Sequence, residues 1–469
     1  MEKIYLSIQT TLIITLIVGV FFVALGYINS KKFPGNNKSH IIGDRNEGIF
    51  SLTTSLSASA LGAWILFGPA SAATWGGIGA VLGYALGTAA PMLFLLNFGP
   101  KIRKEFPDGM SLTDFVKKRF GLGIFKIILF LILFYLTIFL IAEVTAIAFL
   151  LNLISRTPLW VTAGLTLIIC LLYILKGGFK LSIITDKYQF IIIALMMILS
   201  LFLILGNMEI NSFKLIKEKS PILLSGNYIP NYTAGLTFFI AVAATNLFHQ
   251  GNWQRVFAAK NNFILKKSLI YSAIITFLIV MWMGYSGLIS FSLNSEINPD
   301  LAFFHLILSN ESFLVIISIL VLALALTLST IDTLINAITS LIIIDGKTIS
   351  KSLNGKKIKQ KANILILFLS AVVFTFASKG FSILYLFLIA DLLCCAAAVT
   401  VFYGFVNKKI NLKLASLSIL FGLISGLLFF PDQSFQSSLL VGSILSTDMF
   451  SEFISSNLLF LSFAFSLIV

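Results

Sequence analysis

Thirteen stretches of this chain are apolar over at least about 17 residues, the length that crosses a bilayer as a helix. They fall at 4–28, 50–75, 77–99, 122–153, 157–176, 183–206, 232–250, 267–291, 312–344, 361–378, 381–405, 412–430 and 453–469. In lipid each such run closes its backbone hydrogen bonds within itself, so a bundle of spanning helices is the one fold class open to the chain. The composition agrees, with 58% hydrophobic residues, 11% charged and a mean hydropathy of +1.00. The expectation is an all-α polytopic membrane protein in one transmembrane domain over 1–469. The first run is uncharged after Lys3 and lacks a small-residue cleavage site, so it reads as a retained helix rather than a removed signal peptide.

The net charge of +14 does not point to nucleic acid, because the basic residues sit in short clusters between the apolar runs. Alternate connections carry nearly all of them. Twenty-seven of the 33 lie on one set of connections and 6 on the other: Lys3, Arg156, Lys214, Lys217, Lys219 and Lys379. By the positive-inside rule the basic set is cytoplasmic. The expectation is a multi-pass plasma (inner) membrane protein with its N-terminus outside and its C-terminus in the cytoplasm. The three cysteines all lie inside apolar runs and the three histidines are scattered without ligand spacing, so no disulfide framework or metal motif is expected.

Polar groups at bilayer depth are costly and mark function. Residues 51–77, SLTTSLSASALGAWILFGPASAATWGG, are laced with hydroxyls and contain a small-residue run followed by Gly68-Pro69. Such a segment predicts a break near Ala58–Gly62, lining a cavity, with Ser59, Ala60 and Trp64 as the nearest solute-facing candidates. In the following run Gly79, Gly83 and Gly87 form one smooth face for close helix contact. Glu143 is a carboxylate in mid-helix, for which cation binding, internal pairing and protonation are all open. Asn246 interrupts an apolar helix just before three further polar residues, His249, Gln250 and Asn252, and then Trp253 and Arg255, which are readable as interfacial anchors. In ALTLSTIDTLINAITSLIIIDGK, Ser329, Asp332, Thr333, Asn336 and Ser340 stripe one face at helical spacing. Hydroxyl and carbonyl oxygens are hard ligands suited to an alkali cation, which needs roughly five or six of them. Asp391 is a further buried acid.

In order and spacing, the segments WILFGP, FPDGMSLTDFVKKRFG, GGFKLSIITDKYQ, GNWQRVFAAKN and LTLSTIDTLINAITSLIIIDGK resemble the sodium:solute symporter family over about residues 45–405. That family includes proline, sugar and urea cotransporters. The resemblance implies a LeuT-type 5+5 inverted repeat. On that reading 1–30 is an extra N-terminal helix, 45–206 and 232–405 are the two repeats, and 412–469 holds two C-terminal helices. It further implies Na⁺ as the coupling ion, held by backbone carbonyls of Ala58, Leu61 and Leu326 and hydroxyls of Ser329 and Thr330. Asp186 matches a family aspartate at the inner exit, and Phe139 falls where the proline transporter has a tyrosine of the substrate region. The chain departs from that relative at Ala60, where it has an essential aspartate. It departs again at the shorter WILFGP segment and at Glu143, where the relative has a small residue.

The function expected is Na⁺-coupled uptake of a small polar organic solute, such as an amino acid or urea, by alternating access. The alternatives are an H⁺-coupled symporter using Glu143, Asp332 or Asp391, and a solute channel. No nucleophile–base or metal constellation suggests an enzyme. The partners expected are a small solute and the lipid bilayer, with no nucleic acid and no protein partner implied.

Overall fold

The computed structural model describes residues 4–30, 41–42, 44–206, 208, 211–309, 312–349, 356–407, 412–435, 437–441, 454 and 456–469. Among these residues the only β structure is two isolated bridges. The helices in chain order are α1 (Ile8–Ser30), α2 (Ile49–Ala60), α3 (Gly68–Glu105), α4 (Leu112–Ser155), α5 (Leu159–Gly206), α6 (Ser212–Lys219), α7 (Ile229–Phe248) and α8 (Gln250–Ala258). They continue with α9 (Asn262–Leu293), α10 (Ala302–Leu308), α11 (Phe313–Ile349), α12 (Lys356–Ala377), α13 (Ile383–Tyr403), α14 (Leu412–Phe429) and α15 (Leu458–Ile468). Every predicted apolar run falls on these helices. The basic connections at 31–40, 351–355 and 408–411 lie outside the described residues. Eight described helices are, by length and hydropathy, each sufficient to cross a membrane alone. The remaining apolar runs lie on helices that are shorter, broken or more polar, so the protein is a multi-pass membrane protein whose polar interruptions are built into its core.

Two predicted boundaries between runs prove to be single glycines. Gly77 (φ 58°, ψ −156°) joins the first part of α3 to its second, and Gly178 (φ 57°, ψ −152°) does the same in α5. Both sit at a positive φ that only glycine adopts without strain, so the helix kinks there without a loop. A Cβ at Gly77 would also lie 2.3 Å from Asn231 Oδ1. The amphipathic entry to α4 is set locally. Ser111 accepts the Asp114 N–H at 3.2 Å while Asp114 accepts the Met110 N–H at 2.9 Å, a near-reciprocal cap on the SLTD sequence.

Small residues decide which helices meet. The face of Gly79, Gly83 and Gly87 packs on α7 so closely that a Cβ at Gly79 would lie 1.7 Å from Asn231 O, and one at Gly83 2.0 Å from Gly235 O. On its other side α3 meets α9, where a Cβ at Gly287 would lie 2.1 Å from Ala70 O. Lipid supplies no hydrophobic drive for helix association, so backbone approach of this kind holds the bundle together. α1, by contrast, lies at the periphery against α5 and most of its residues face outward. The centre of the bundle is α2, α4, α11 and α13, with α8 wedged beneath them.

Candidate solute and cation site

α2 stops because Leu61 (φ −102°, ψ 86°) and Gly62 (φ −86°, ψ −177°) leave the helical region. A 3₁₀ turn over Ala63–Leu66 follows before α3 begins at Gly68 with Pro69 in its first turn, where a missing N–H costs nothing. Leu61 N–H turns back to Ser57 O and Ala58 O at 3.1 and 3.3 Å. The Ala63 N–H, which in an unbroken helix would reach Ser59 O, instead donates to Glu143 Oε2 at 2.8 Å. Glu143 therefore satisfies a donor that the break releases and frees carbonyls of the preceding turn. Gly62 makes room for it, since a Cβ there would lie 2.1 Å from Glu143 Oε1. Of the roles left open by sequence, internal pairing is what the geometry provides. Glu143→Gln should lower the melting temperature of the purified protein by the equivalent of about 1.5–3 kcal/mol, the worth of a bond to a charged acceptor, and leave the solute KM unchanged. A raised KM with unchanged melting would place Glu143 in solute contact instead.

A second group of buried polar side chains joins α2, α5, α8 and α11. Asp186 accepts from Ser329 at 2.7 Å, from Ser55 at 2.5 Å and from Arg255 Nη2 at 2.8 Å. Arg255 also donates to Ser55 Oγ at 2.8 Å, Thr333 Oγ1 at 3.1 Å and Gly251 O at 3.0 Å. The ion pair is almost wholly enclosed, with side-chain exposures of 1% and 0%. Arg255 is therefore not an interfacial anchor, and neither is Trp253, which is buried and donates to Leu247 O at 2.8 Å. Asp332 faces α5 and takes hydroxyl bonds from Ser182 (2.7 Å), Tyr173 (3.0 Å) and Thr185 (3.2 Å). Asn336 is buried on the same stripe, its amide nitrogen unpartnered among the described residues.

The donor chemistry of the predicted cation ligands fits a hard monovalent ion. Ser329 gives its hydrogen to Asp186 and Thr330 gives its own to Leu326 O at 3.1 Å. Both hydroxyl oxygens keep lone pairs free, as does the Ala58 carbonyl at the break, while the Leu326 carbonyl already accepts the Thr330 hydroxyl. Leu61 lies at the break itself. No group of three or more His, Cys, Asp or Glu side chains that could hold a metal occurs among the described residues. A cation here would rest on hydroxyls and carbonyls.

One turn along α2 from this group lies a small cavity of about 30 Å³. Ser59, Ala60, Trp64, Phe139 and Asn246 all line it, as does Thr330 from the ion group. The sequence does not assign Tyr84, Val242, His249 or Phe387 to the site, and it offers Asp391 as a buried acid and a proton-carrier alternative; all five line the cavity. Trp64 stacks on Tyr84 with centroids 5.6 Å apart, and Phe139 meets Phe387 edge-on at 4.7 Å. Asp391 Oδ1 accepts from Thr245 at 2.6 Å. His249 ends α7 with an extended ψ of 107°, and its Nδ1 accepts the Gly251 N–H at 3.1 Å, which fixes the ring as a neutral Nε2–H donor.

The amides after Asn246 are staples. Gln250 donates to Met110 O at 3.0 Å, Asn252 to Asn246 O at 2.9 Å and Gln254 to Ile41 O at 2.7 Å. A periodic pattern gives no clue to such partners, which lie up to 213 residues away.

A larger, open cavity of about 520 Å³ lies at the N-terminal end of α13, where Leu384 lines it together with Trp75 and Phe435. Among the described residues its one charged lining residue is Asp300, which accepts from Ser71 at 3.0 Å. Asp300 lies outside the spanning segments; burial raises its carboxyl above the usual range and the Ser71 bond opposes that shift.

Comparison with known proteins gives this architecture its context. The spermidine transporter DUR31 of Candida albicans is 27% identical over 388 residues, covering 82% of this chain and 72% of that one. Among solved structures, a substrate-bound, outward-open Na⁺-coupled sialic acid symporter superposes with a TM-score of 0.73 at 16% identity, covering 98% of this chain and 97% of the other. Mhp1, a nucleobase-cation-symport-1 family transporter in a closed conformation, superposes with a TM-score of 0.50 at 16% identity over 90% of this chain and 98% of that one. The bundle is thus of the LeuT type, and the chain is a transporter rather than an enzyme. The sequence profile of the sodium:solute symporter family matches residues 40–422, and the chain belongs to that family.

Proposed function

We propose that this protein carries a small polar organic solute into the cell together with Na⁺, by alternating access around the break in α2. The observation that carries this reading is the proximity of two sites on the same two helices. Ser55 and Ser59, one turn apart on α2, belong to the Asp186 group and to the cavity respectively, and Ser329 and Thr330 divide in the same way on α11. An ion that draws Ser329, Thr330 and the freed α2 carbonyls together also shapes the wall against which the solute sits. That shared wall is a physical route to coupling. The spermidine of the curated relative is a small nitrogen-bearing solute and supports the same class.

The proposed repeats gain support from their first helices. In 45–206 the first helix breaks at Leu61–Gly62, and in 232–405 it breaks at His249. With thirteen crossings, the N-terminus outside and the C-terminus in the cytoplasm of a cell whose plasma (inner) membrane holds the protein, the Asp186–Arg255 group lies on the cytoplasmic side of the cavity. It then serves as an inner lock, with Asp186 at the ion exit.

The test is uptake into proteoliposomes with an inward Na⁺ gradient, against Na⁺ replaced by K⁺ or choline at fixed pH. Loss of concentrative uptake without Na⁺ is the expected result. Undiminished uptake would remove the sodium assignment and favour proton coupling, for which Asp391 is the carboxylate that faces the cavity.

A further inference from the structure

We infer that Asp391 is the solute's charge partner and that the solute is an organic cation bearing an ammonium head without a carboxylate. This inference rests on the transporter reading and specifies its cargo. Among the described residues the central cavity offers one carboxylate and no positive side chain: of those lining it Asp391 alone is charged, and the His249 ring is held neutral by the Gly251 N–H on its Nδ1. Among the described residues no lysine or arginine forms an ion pair with Asp391, whose Oδ1 accepts the Thr245 hydroxyl. A carboxylate enclosed at bilayer depth with a single hydroxyl donor is costly, and a bound cation removes that cost.

The walls around it suit an ammonium group. Trp64, Tyr84, Phe139 and Phe387 present four aromatic rings to one small space, the arrangement that attracts cations through ring quadrupoles. The free space of about 30 Å³ is small and suits a water-sized group such as a primary ammonium head. A carboxylate-bearing solute such as a zwitterionic amino acid would meet no counter-charge here apart from a coupling cation.

The outer cavity repeats the pattern. Among the described residues its one charged lining residue is again an acid, Asp300, and its Leu384 stands on α13 seven residues before Asp391. Leu384, Phe387 and Asp391 follow i, i+3 and i+7, so both cavities open along one face of α13, about 10 Å apart. Rings continue between them, with Trp75 at 5.8 Å from Phe238 and Phe238 at 4.3 Å from Tyr84. A cation entering the outer cavity thus meets an acid, a run of aromatic faces and a second acid.

The experiment uses the purified full-length protein and 1,4-diaminobutane as the probe, with 1,4-butanediol as its uncharged isostere and urea and proline as neutral and zwitterionic competitors. Binding is read from Trp fluorescence in detergent and uptake from proteoliposomes with and without Na⁺. The diamine is expected to bind and the diol not; Asp391→Asn should weaken diamine binding by about 10- to 100-fold, the worth of a charge-assisted bond. Thr245→Ala, which loosens Asp391 without removing its charge, should weaken it only several-fold. Should Asp391→Asn fail to fold, the wild-type comparison of diamine with diol still decides. Equal binding of diol and diamine, or diamine binding undiminished in a folded Asp391→Asn, would overturn the inference. Na⁺-driven uptake of urea or proline without binding of the diamine would overturn it while leaving the symporter reading intact. Diamine uptake lost in Asp391→Asn but indifferent to Na⁺ would uphold it and remove sodium coupling.

Discussion

Arg255→Met should be the most disruptive single substitution in this protein, costing about 3–5 kcal/mol of folded stability. Arg255 is fully buried and bonds to α2, α5, α8 and α11 at once, through Ser55, Asp186, Gly251 and Thr333. Methionine fills similar volume but leaves Asp186 ionised in a dry setting with two hydroxyl donors, Ser55 and Ser329. Breaking one side of a buried pair is worse than removing both, so Asp186→Asn combined with Arg255→Met should melt closer to the wild type than Arg255→Met alone. Thermal unfolding of the four detergent-purified proteins measures this cycle. If the two substitutions prove additive, the pair does not hold these helices together. Uptake should collapse in Arg255→Met whether or not the protein still reaches the membrane, because the inner lock loses its central contact.

Ser329→Ala with Thr330→Ala should raise the Na⁺ concentration for half-maximal uptake by about 30- to 100-fold. Each hydroxyl ligand is worth about 1–1.5 kcal/mol, and about 1.4 kcal/mol is a factor of ten. Both side chains are small and buried, and each gives its hydrogen to a neighbour while its oxygen remains free to coordinate. Alanine removes that oxygen with little change in packing, so surface expression should fall far less than Na⁺ affinity. Ser329→Ala also takes one donor from Asp186, so part of its effect should appear as lowered stability. Thr330→Ala has no such connection and gives the cleaner reading of the ion site. An unchanged Na⁺ dependence in the double variant would place the coupling ion elsewhere. An effect confined to Thr330 would assign it to solute contact, since that residue also lines the cavity.

Much of this was legible in the chain itself. The apolar runs specify helices because a backbone in lipid has few other ways to satisfy its hydrogen bonds. The Ala58–Gly62 break was readable because Gly62 and the small residues before it remove the side-chain packing that would hold a helix straight, and the structure turns at Leu61–Gly62. The glycine face at 79, 83 and 87 announced close contact by its spacing, and the stripe from Ser329 to Ser340 announced a buried polar face. What spacing does not contain is the identity of the partner. Glu143 in isolation leaves cation binding, internal pairing and protonation open, because the amide it caps lies 80 residues away. Arg255 and Trp253 have the composition of interfacial anchors and are instead enclosed beneath the bundle. Tyr84, His249 and Phe387 carry no local sign of a site.

Sequence by itself thus determined that helices form here, where they fail, and which of their faces are too polar for lipid, because those properties repeat at the period of one helix. Only the tertiary structure decided which carboxylate caps a break, which meets an arginine and which faces a cavity. Those outcomes depend on how closely one backbone approaches another at Gly79, Gly83 and Gly287, and on side chains converging from positions far apart in the chain.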